Sequence, residues 1–152
     1  MTENHVRRVI LLFMSSWDNG TFFDAAFSSE EQNRIISSTA TADKNPSYST
    51  SPGNNTTDKV FLLSIKEVNK YFKSDDARKC AHTDYAIAQG AWTSNSNKTC
   101  GRATCWWWLR SPGYKSNKAA YVHNDGAVID NGSSVNSDFA AVRPALWIDL
   151  GS

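Results

Sequence analysis

The side chains best suited to covalent chemistry in this chain are those of cysteine and histidine, and they are few. Cys80 and His82 are separated by one alanine, and together they could supply a thiol nucleophile and a general base. Side chains so close along a loop rarely reach the required geometry, and the base also needs a third group to orient it. His5 and His123 lie far away in sequence, and the chain has no HExxH, GxSxG, P-loop or dinucleotide-binding motif. We therefore predict no catalytic residues and no enzymatic activity.

The cysteines are also the natural candidates for a metal site or a disulfide. Structural zinc usually has four Cys or His ligands at regular spacing, whereas Cys80, His82, Cys100 and Cys105 are irregularly spaced. Three cysteines cannot all pair within one chain. Cys100 and Cys105 are near enough in sequence to form a bridge, but we favour free thiols. We predict no metal ion and no cofactor.

The charge balance argues against nucleic acid or an anionic membrane as a partner. The 152 residues include 16 Lys and Arg and 15 Asp and Glu, so the net charge is only +1. No stretch approaches the ~18 apolar residues of a membrane span. Arg7 and Arg8 precede a short apolar run that falls below the roughly 7–15 residues of a signal-peptide core. We predict instead a helix from Val6 to Trp17, within a single domain over residues 1–152.

Half of the six tryptophans lie in one run, Trp106 to Trp108. Aromatic residues favour strands, and Pro112 and Gly113 should end this one. Alternation sets Trp106 and Trp108 on one face and Trp107 on the other. We expect the run to be core rather than a sugar-stacking platform, with Trp106 as the most plausible exception.

The second strongly apolar stretch runs from Ala141 to Leu150 near the C-terminus. We expect it to pair with the Trp106–Arg110 strand in a central sheet, with Trp107, Trp108 and Trp147 in the core. Arg110 and Arg143 lie beside prolines, and their guanidinium groups should bind loop carbonyls.

The remaining elements follow from capping, periodicity and turn residues. Ser28 with Glu31 and Ser64 with Glu67 form capping boxes that should begin two helices. The first should run to Ile36, and residues 37–57 should form a mobile surface loop. Further predictions are a strand at Val60–Leu63, a helical turn from Thr83 to Gly90, a polar loop at Thr93–Thr104, strands at Ala119–His123, Ala127–Asp130 and Val142–Leu150, and hairpin turns at 124–126 and 131–132.

Several runs resemble a C-type-lectin-like domain family of gut bacteria and their phages. They are WWLRSPG at 107–113, Asp125-Gly126, VRPALW at 142–147, the segment from Asp58 to Ser64 with Glu67, and the segment from Asn19 to Ser28. The resemblance covers roughly residues 17 to 150. It implies an α+β, C-type-lectin-like fold: a twisted, largely antiparallel sheet with two or more helices and long loops. Members normally carry a longer N-terminal strand region, so the resemblance also indicates a truncated or diverged start.

The same family includes variable target proteins of diversity-generating retroelements, in which the C-terminal part is mutated to vary ligand binding. Tyr, Ser and Asn are abundant between Tyr114 and Ala140, as they are in antibody paratopes, although loops are commonly polar in any case. The resemblance therefore implies a ligand-binding surface formed by Tyr114, Ser116, Asn117, His123, Asn131, Ser133, Asn136, Ser137, Asp138 and Phe139.

Codon chemistry agrees with this set. Mutagenesis at the adenines of an Asn codon cannot give Lys, Gln, Glu, Met or Trp through its first two bases. Each of the ten residues is reachable, whereas Lys115 and Lys118 are not and stay outside the set. We expect a non-catalytic, variable or adhesive protein of phage or bacterial origin, displayed on a phage particle or a cell surface. Its partner would be a protein or carbohydrate ligand there.

Two alternatives stay open beside ligand display. One is an enzyme related to the formylglycine-generating type, whose paired catalytic cysteines this sequence does not match in position or context. The other is a structural module of a larger surface protein. The calcium-dependent sugar-binding tripeptides of C-type lectins, Glu-Pro-Asn, Gln-Pro-Asp and Trp-Asn-Asp, do not occur. We therefore expect ligand binding without calcium or zinc.

Overall fold

The computed structural model describes residues 22–150, in which short helices combine with antiparallel sheets; the helix predicted at 6–17 and the turn at 19–20 lie outside the described residues. The helices are α1 Phe22–Ala26, α2 Ser29–Arg34, α3 Ile65–Tyr71, α4 Asp75–Arg78 and α5 Asp84–Ala88. The strands are β1 Ile35–Ile36, β2 Ser38–Ala40, β3 Thr56–Asp58, β4 Val60–Phe61, β5 Cys80–Ala81, β6 Thr93–Thr99, β7 Arg102–Cys105, β8 Trp107–Pro112, β9 Lys118–Val122, β10 Val128–Ser134 and β11 Ala145–Ile148. The predicted α+β class is confirmed.

The described strands pair into several small sheets rather than one large one. The consecutive strands β8, β9 and β10 form a meander with β9 in the middle. A second sheet has the order β5-β7-β6, a third has β1-β11-β4, and β2 pairs with β3. All of these pairings are antiparallel. Antiparallel neighbours need only short connections, so the loops lie at the ends of the strands.

Strand β8 is buried on both of its faces, and its first three residues are all apolar. On one side, Trp107 and Leu109 pack with residues of α3 and β9; we call this the Trp107 core. It comprises Ile65, Val68, Trp107, Leu109, Ala120 and Val122. On the other side lies the Trp108 core, which comprises Leu62, Trp108, Ala119 and Val135. The strand ends at Pro112 as predicted, and proline there donates no hydrogen bond to a neighbouring strand.

The expected pairing of β8 with the C-terminal strand is wrong. Backbone pairing between the two segments is limited to a parallel bridge between Trp107 and Ala141, in which the amide of Trp108 donates to the carbonyl of Ala141 and the carbonyl of Trp106 accepts from the amide of Ala141. Beyond it, Pro144 lacks an amide donor, and the chain leaves β8 to pair with β4 and β1 instead. This strand lies at the surface.

The prediction that Trp147 is a core residue is consequently wrong as well. Its side chain is 45% exposed, and its ring lies beside those of Phe61 and Tyr71, with centroids 6.5 Å and 6.2 Å away. Trp107 and Trp108 are buried, as expected.

Both predicted capping boxes are confirmed. The hydroxyls of Ser28 and Ser64 accept from the amides of Glu31 and Glu67, and each glutamate accepts from the amide of its serine. The first helix, however, ends at Arg34 and not at Ile36. Ile35 turns extended and begins β1, because a β-branched residue gains more from pairing with β11 than from one further helical turn.

The sequence predicts a loop over the whole of residues 37–57, but the two ends of this segment form strands. Its two ends pair as β2 and β3, and only residues 41–55 lack helix or strand. Asn45 is buried there and donates to the carbonyls of Pro112 and Asp130, each at 2.7 Å. One side chain thus attaches the middle of the segment to the end of β8 and to β10.

Two predicted turns have different outcomes. The turn at 124–126 joins β9 to β10, with Gly126 at a φ of +92° and its Cα packed on the backbone of Asp75. The predicted turn at Asn131-Gly132 is wrong: both residues lie inside β10, where Gly132 sits at a register irregularity with positive φ. An Asn-Gly pair can form a β-bulge as readily as a tight turn, because both structures need a residue with positive φ.

The predicted polar loop at Thr93–Thr104 is also wrong, because it forms the β6–β7 hairpin. Cys100 and Gly101 at its tip have φ values of 51° and 75°. Positive φ at both central residues is typical of the tight turn that matches the twist of antiparallel strands.

Arg110 binds loop carbonyls as predicted, whereas Arg143 binds the carbonyl of the last residue of helix α4. Arg110 donates to the carbonyls of Thr41 and Leu62 and pairs with Glu67 and Asp43. Arg143 donates to the carbonyl of Arg78 and lies 4.9 Å from the ring centroids of Phe72 and Trp107.

In the described part of the chain, no helix is long and apolar enough to cross a membrane.

Replacing Trp107 with alanine should lower the free energy of unfolding by about 3–5 kcal/mol, because it leaves a large cavity in the core. Replacing Trp147 should cost less than half as much, because nearly half of that side chain is already in water. Equilibrium unfolding in urea measures both values. Equal losses for the two variants would contradict the burial described above.

Candidate functional site

Four aromatic and imidazole rings gather around Trp106, which lies at the junction between β7 and β8. The Tyr121 ring stacks on Trp106 with an interplanar angle of 15° and a centroid distance of 5.1 Å. His123 and Phe139 lie 4.7 Å and 4.8 Å away, and Trp92 lies 5.6 Å away. We call this group of five the Trp106 cluster.

Hydrogen bonds hold Trp106 in place from both its backbone and its side chain. Its carbonyl accepts from the amide of Ala141 at 2.7 Å. Its indole nitrogen donates to the side-chain oxygen of Asn124 at 3.1 Å, and Asn124 is itself buried in the turn after β9. The ring is therefore held to two segments that are remote in sequence.

The outer members of the cluster are tied together as well. The amide of Trp92 donates to the carbonyl of Phe139 at 2.9 Å, which joins the segment before β6 to the segment before β11. Phe139 also lies 6.1 Å from Trp108, so the cluster rests on the Trp108 core. Its aromatic rings are supported from beneath by a buried tryptophan.

The cluster is open to water on one side. Trp92 is 45% exposed, and Trp106, Tyr121, His123 and Phe139 are partly exposed. Burial raises the pKa of Tyr121, so its phenol stays neutral at ordinary pH. The arrangement is an apolar, largely uncharged surface with rings in fixed orientations.

A carboxylate lies at the edge of this surface. His123 Nδ1 lies 3.0 Å from Asp125 Oδ1, which also accepts from the amide of Ala127 at 3.0 Å. Partial burial raises the pKa of Asp125, but these hydrogen bonds outweigh that effect and leave the pKa below its usual value. An exposed anion thus lies beside the aromatic rings at neutral pH.

The ten residues predicted from the sequence fall into two groups rather than one cluster, and none of them is buried. His123 and Phe139 belong to the Trp106 cluster, and exposed Asp138 precedes Phe139 in the chain. The others lie near the opposite end of β9, where β9 begins and β10 ends. That second group, which we call the hairpin-end group, comprises Tyr114, Ser116, Asn117, Asn131, Ser133, Asn136 and Ser137.

Backbone contacts hold the hairpin-end group together. The amide of Tyr114 donates to the carbonyl of Asn131, and the amide of Val135 donates to the carbonyl of Asn117, both at 3.1 Å. The exposed ring of Tyr114 lies 6.2 Å from that of Tyr48, which comes from the segment anchored by Asn45. A second aromatic contact surface therefore exists at this end of the hairpin.

Sequence reasoning missed Trp92, Tyr121 and Asn124. The alternation of β9 could have indicated Tyr121, because it has the same parity as His123. A tryptophan in the otherwise polar segment around Trp92 was a further signal. Asn124 was treated only as a turn residue, and its bond to Trp106 depends on a contact remote in sequence.

The combination of Cys80 and His82 does not form a nucleophile–base pair. Within residues 22–150 neither Cys80 nor Cys105 hydrogen-bonds to His82; their sulfur atoms contact the carbonyls of Ala81 and Cys80. All three cysteines are free thiols, as favoured from the sequence. In the same residues, no group of three or more His, Cys, Asp or Glu side chains is placed to hold a metal ion.

Comparison with curated proteins and with solved structures finds no match to this chain. A family model does match, over residues 13–150, and its description is a domain of unknown function, DUF6273. Because that match covers nearly the whole chain, the protein belongs to the DUF6273 family.

Proposed function

We propose that this protein is a non-catalytic ligand-binding domain and that the Trp106 cluster is its principal contact surface. The observation that carries the proposal is the half-exposed Trp92 beside four partly exposed rings from other segments. An apolar patch rimmed by polar groups on a protein surface is characteristic of a binding site. Tryptophan and tyrosine are also the residues that most often dominate the energy of an interface.

The way the rings are held supports this function. The Trp106 ring is held through its indole nitrogen, while Trp92 is attached through its backbone amide and its ring packs on that of Trp106. A ligand that stacks on such rings does not have to order them first, and this saves about 0.5–1.5 kcal/mol for each side chain. Hydrophobic collapse alone does not require indole rings fixed in this way at the surface.

The chemistry of the surface indicates what kind of ligand it would take. Planar rings favour a partner with an apolar face, and the Asp125 carboxylate beside His123 can bind hydroxyl or amide hydrogens at its edge. A carbohydrate or a protein segment provides both features. The protein's net charge of +1 gives no reason to expect a polyanion.

The hairpin-end group fits the second part of the proposal, that this is a variable protein with a C-type-lectin-like fold. None of its seven residues is buried, and none is a member of either core. Replacing surface residues of this kind usually changes stability by about 0.5 kcal/mol or less. Such positions could vary between copies while both cores stay intact, as expected for the target of a diversity-generating retroelement.

The binding surface can be tested with two matched tryptophan variants. Trp92 and Trp147 are equally exposed, but the ring contacts of Trp147 within residues 22–150 are with Phe61 and Tyr71 and not with the Trp106 cluster. The wild-type protein is screened on a printed array of bacterial-wall and mucin-type glycans and against a phage-displayed peptide library. For any glycan or peptide selected, Trp92→Ala should weaken the affinity tenfold or more, because hot-spot residues contribute about 2 kcal/mol. Trp147→Ala should leave the affinity unchanged; equal effects, or no effect of Trp92→Ala, would contradict the assignment.

The retroelement origin has a separate test in the DNA. Sequencing of the region around the gene should find a template repeat and a reverse transcriptase gene. The repeat should match the coding sequence of the C-terminal third, with differences confined to adenines of the template. The codons of the hairpin-end group should be among those that differ, and those of Trp107, Pro112 and Gly126 should not. A neighbourhood without such a repeat would contradict this origin and leave the binding surface unaffected.

A further inference from the structure

Two cysteines that are distant in sequence face each other across neighbouring strands. Cys80 of β5 is the register partner of Cys105 of β7. Directly opposed residues of antiparallel strands have Cα atoms about 4.5–5.5 Å apart, within the range of about 4.4–6.8 Å that a disulfide spans. The Cys105 thiol also donates to the carbonyl of Cys80 at 3.5 Å. Little backbone movement is therefore needed to join the two sulfur atoms.

The environments of the two thiols differ in a way that gives them separate roles. Cys105 is 1% exposed, whereas Cys80 is partly exposed. A hydrogen bond from Cys105 lowers the pKa of Cys80 to about 7, against the opposing effect of burial and with help from the charge of Arg143. The same contact and burial raise the pKa of Cys105. His82 lies two residues after Cys80, and its Nδ1 is buried without a hydrogen-bond partner in the described structure.

We propose that Cys80 and Cys105 form a redox-active pair that closes to a cross-strand disulfide on reaction with a small-molecule disulfide. The Cys80 thiolate attacks one sulfur of the small disulfide, whose S–S bond breaks and releases one thiolate. Cys105 then loses its proton to water and attacks the sulfur of Cys80. The mixed disulfide breaks and the second small thiol leaves. The protein loses two electrons and two protons, and the small disulfide becomes two thiols.

The third cysteine, Cys100, is an internal control, because a general reactivity of thiols would affect it as well as Cys80 and Cys105. Cys100 is exposed at the tip of the β6–β7 hairpin and outside the register of Cys80 with Cys105. Closing the pair would also close the chain between residues 80 and 105, which carries Trp92 of the Trp106 cluster. Oxidation is thereby connected to the segment that forms one edge of the candidate binding surface.

Tryptic mapping of the full-length protein tests the proposal, because the cleavage sites separate all three cysteines into the peptides 80–98, 99–102 and 103–110. The protein is incubated with oxidised glutathione at neutral pH, alkylated and digested without reduction. Peptides 80–98 and 103–110 should appear joined by a disulfide, with Cys100 in peptide 99–102 alkylated or glutathionylated. A link from Cys100 to either other cysteine, or alkylation of both Cys80 and Cys105, would overturn the proposal.

Variants then test the order of events. Cys105→Ala should accumulate glutathione on Cys80 as a mixed disulfide, whereas Cys80→Ala should leave Cys105 unmodified because it is buried. Cys100→Ser is the matched control and should form the cross-strand disulfide at the wild-type rate. The oxidised wild-type protein should melt several degrees higher than the reduced one, because the crosslink constrains the unfolded chain. Rapid glutathionylation of Cys105 in folded Cys80→Ala would contradict the proposed order.

Discussion

The whole arrangement depends on burial of β8 on both faces. Trp107 and Leu109 point into the Trp107 core and Trp108 points into the Trp108 core, so one six-residue strand contributes to both. Its backbone must satisfy its hydrogen bonds within the protein, since water cannot reach it. It does so with β9, with Leu63 through the amide of Arg110, and with Ala141 through the amide of Trp108. The short strands around it gain their positions from these contacts, because none of them could bury enough surface alone.

The proposed binding surface begins where the double burial of β8 ends. Trp106 immediately precedes β8. It is the one member of the tryptophan run that is not buried. The tryptophan run therefore passes from the protein core to the surface between Trp107 and Trp106. The Trp106 ring at the surface is held by residues that themselves pack on the core. A rigid base beneath an open aromatic surface allows contact residues to change without loss of the fold. Sites on loops that a rigid scaffold positions commonly have this organisation.

Features that depend on local hydrogen bonds could be predicted from the sequence, and features that depend on distant partners could not. The capping boxes at Ser28 and Ser64, and the end of β8 at Pro112, need only residues a few positions apart. The pairing of β11 with β1 and β4, by contrast, is decided by which partners remain after β8 has paired with β9. The opposition of Cys80 and Cys105 and the bond from Trp106 to Asn124 are of the same kind. Of the candidate site, composition together with the family resemblance indicated His123 and Phe139, but no local pattern joined them to Trp92 or Tyr121.

The central claim is that β8 makes the two cores a single cooperative unit. Native-state hydrogen exchange at increasing denaturant, followed by NMR, tests it most directly. The informative amides are those of Val68 in the Trp107 core, Val135 in the Trp108 core, and Trp108 and Arg110 in β8, all hydrogen-bonded. All four should exchange with the same free energy, equal to that of global unfolding. If the amide of either Val68 or Val135 opened at a clearly lower free energy while the other stayed protected, the two cores would be independent and the account would be contradicted.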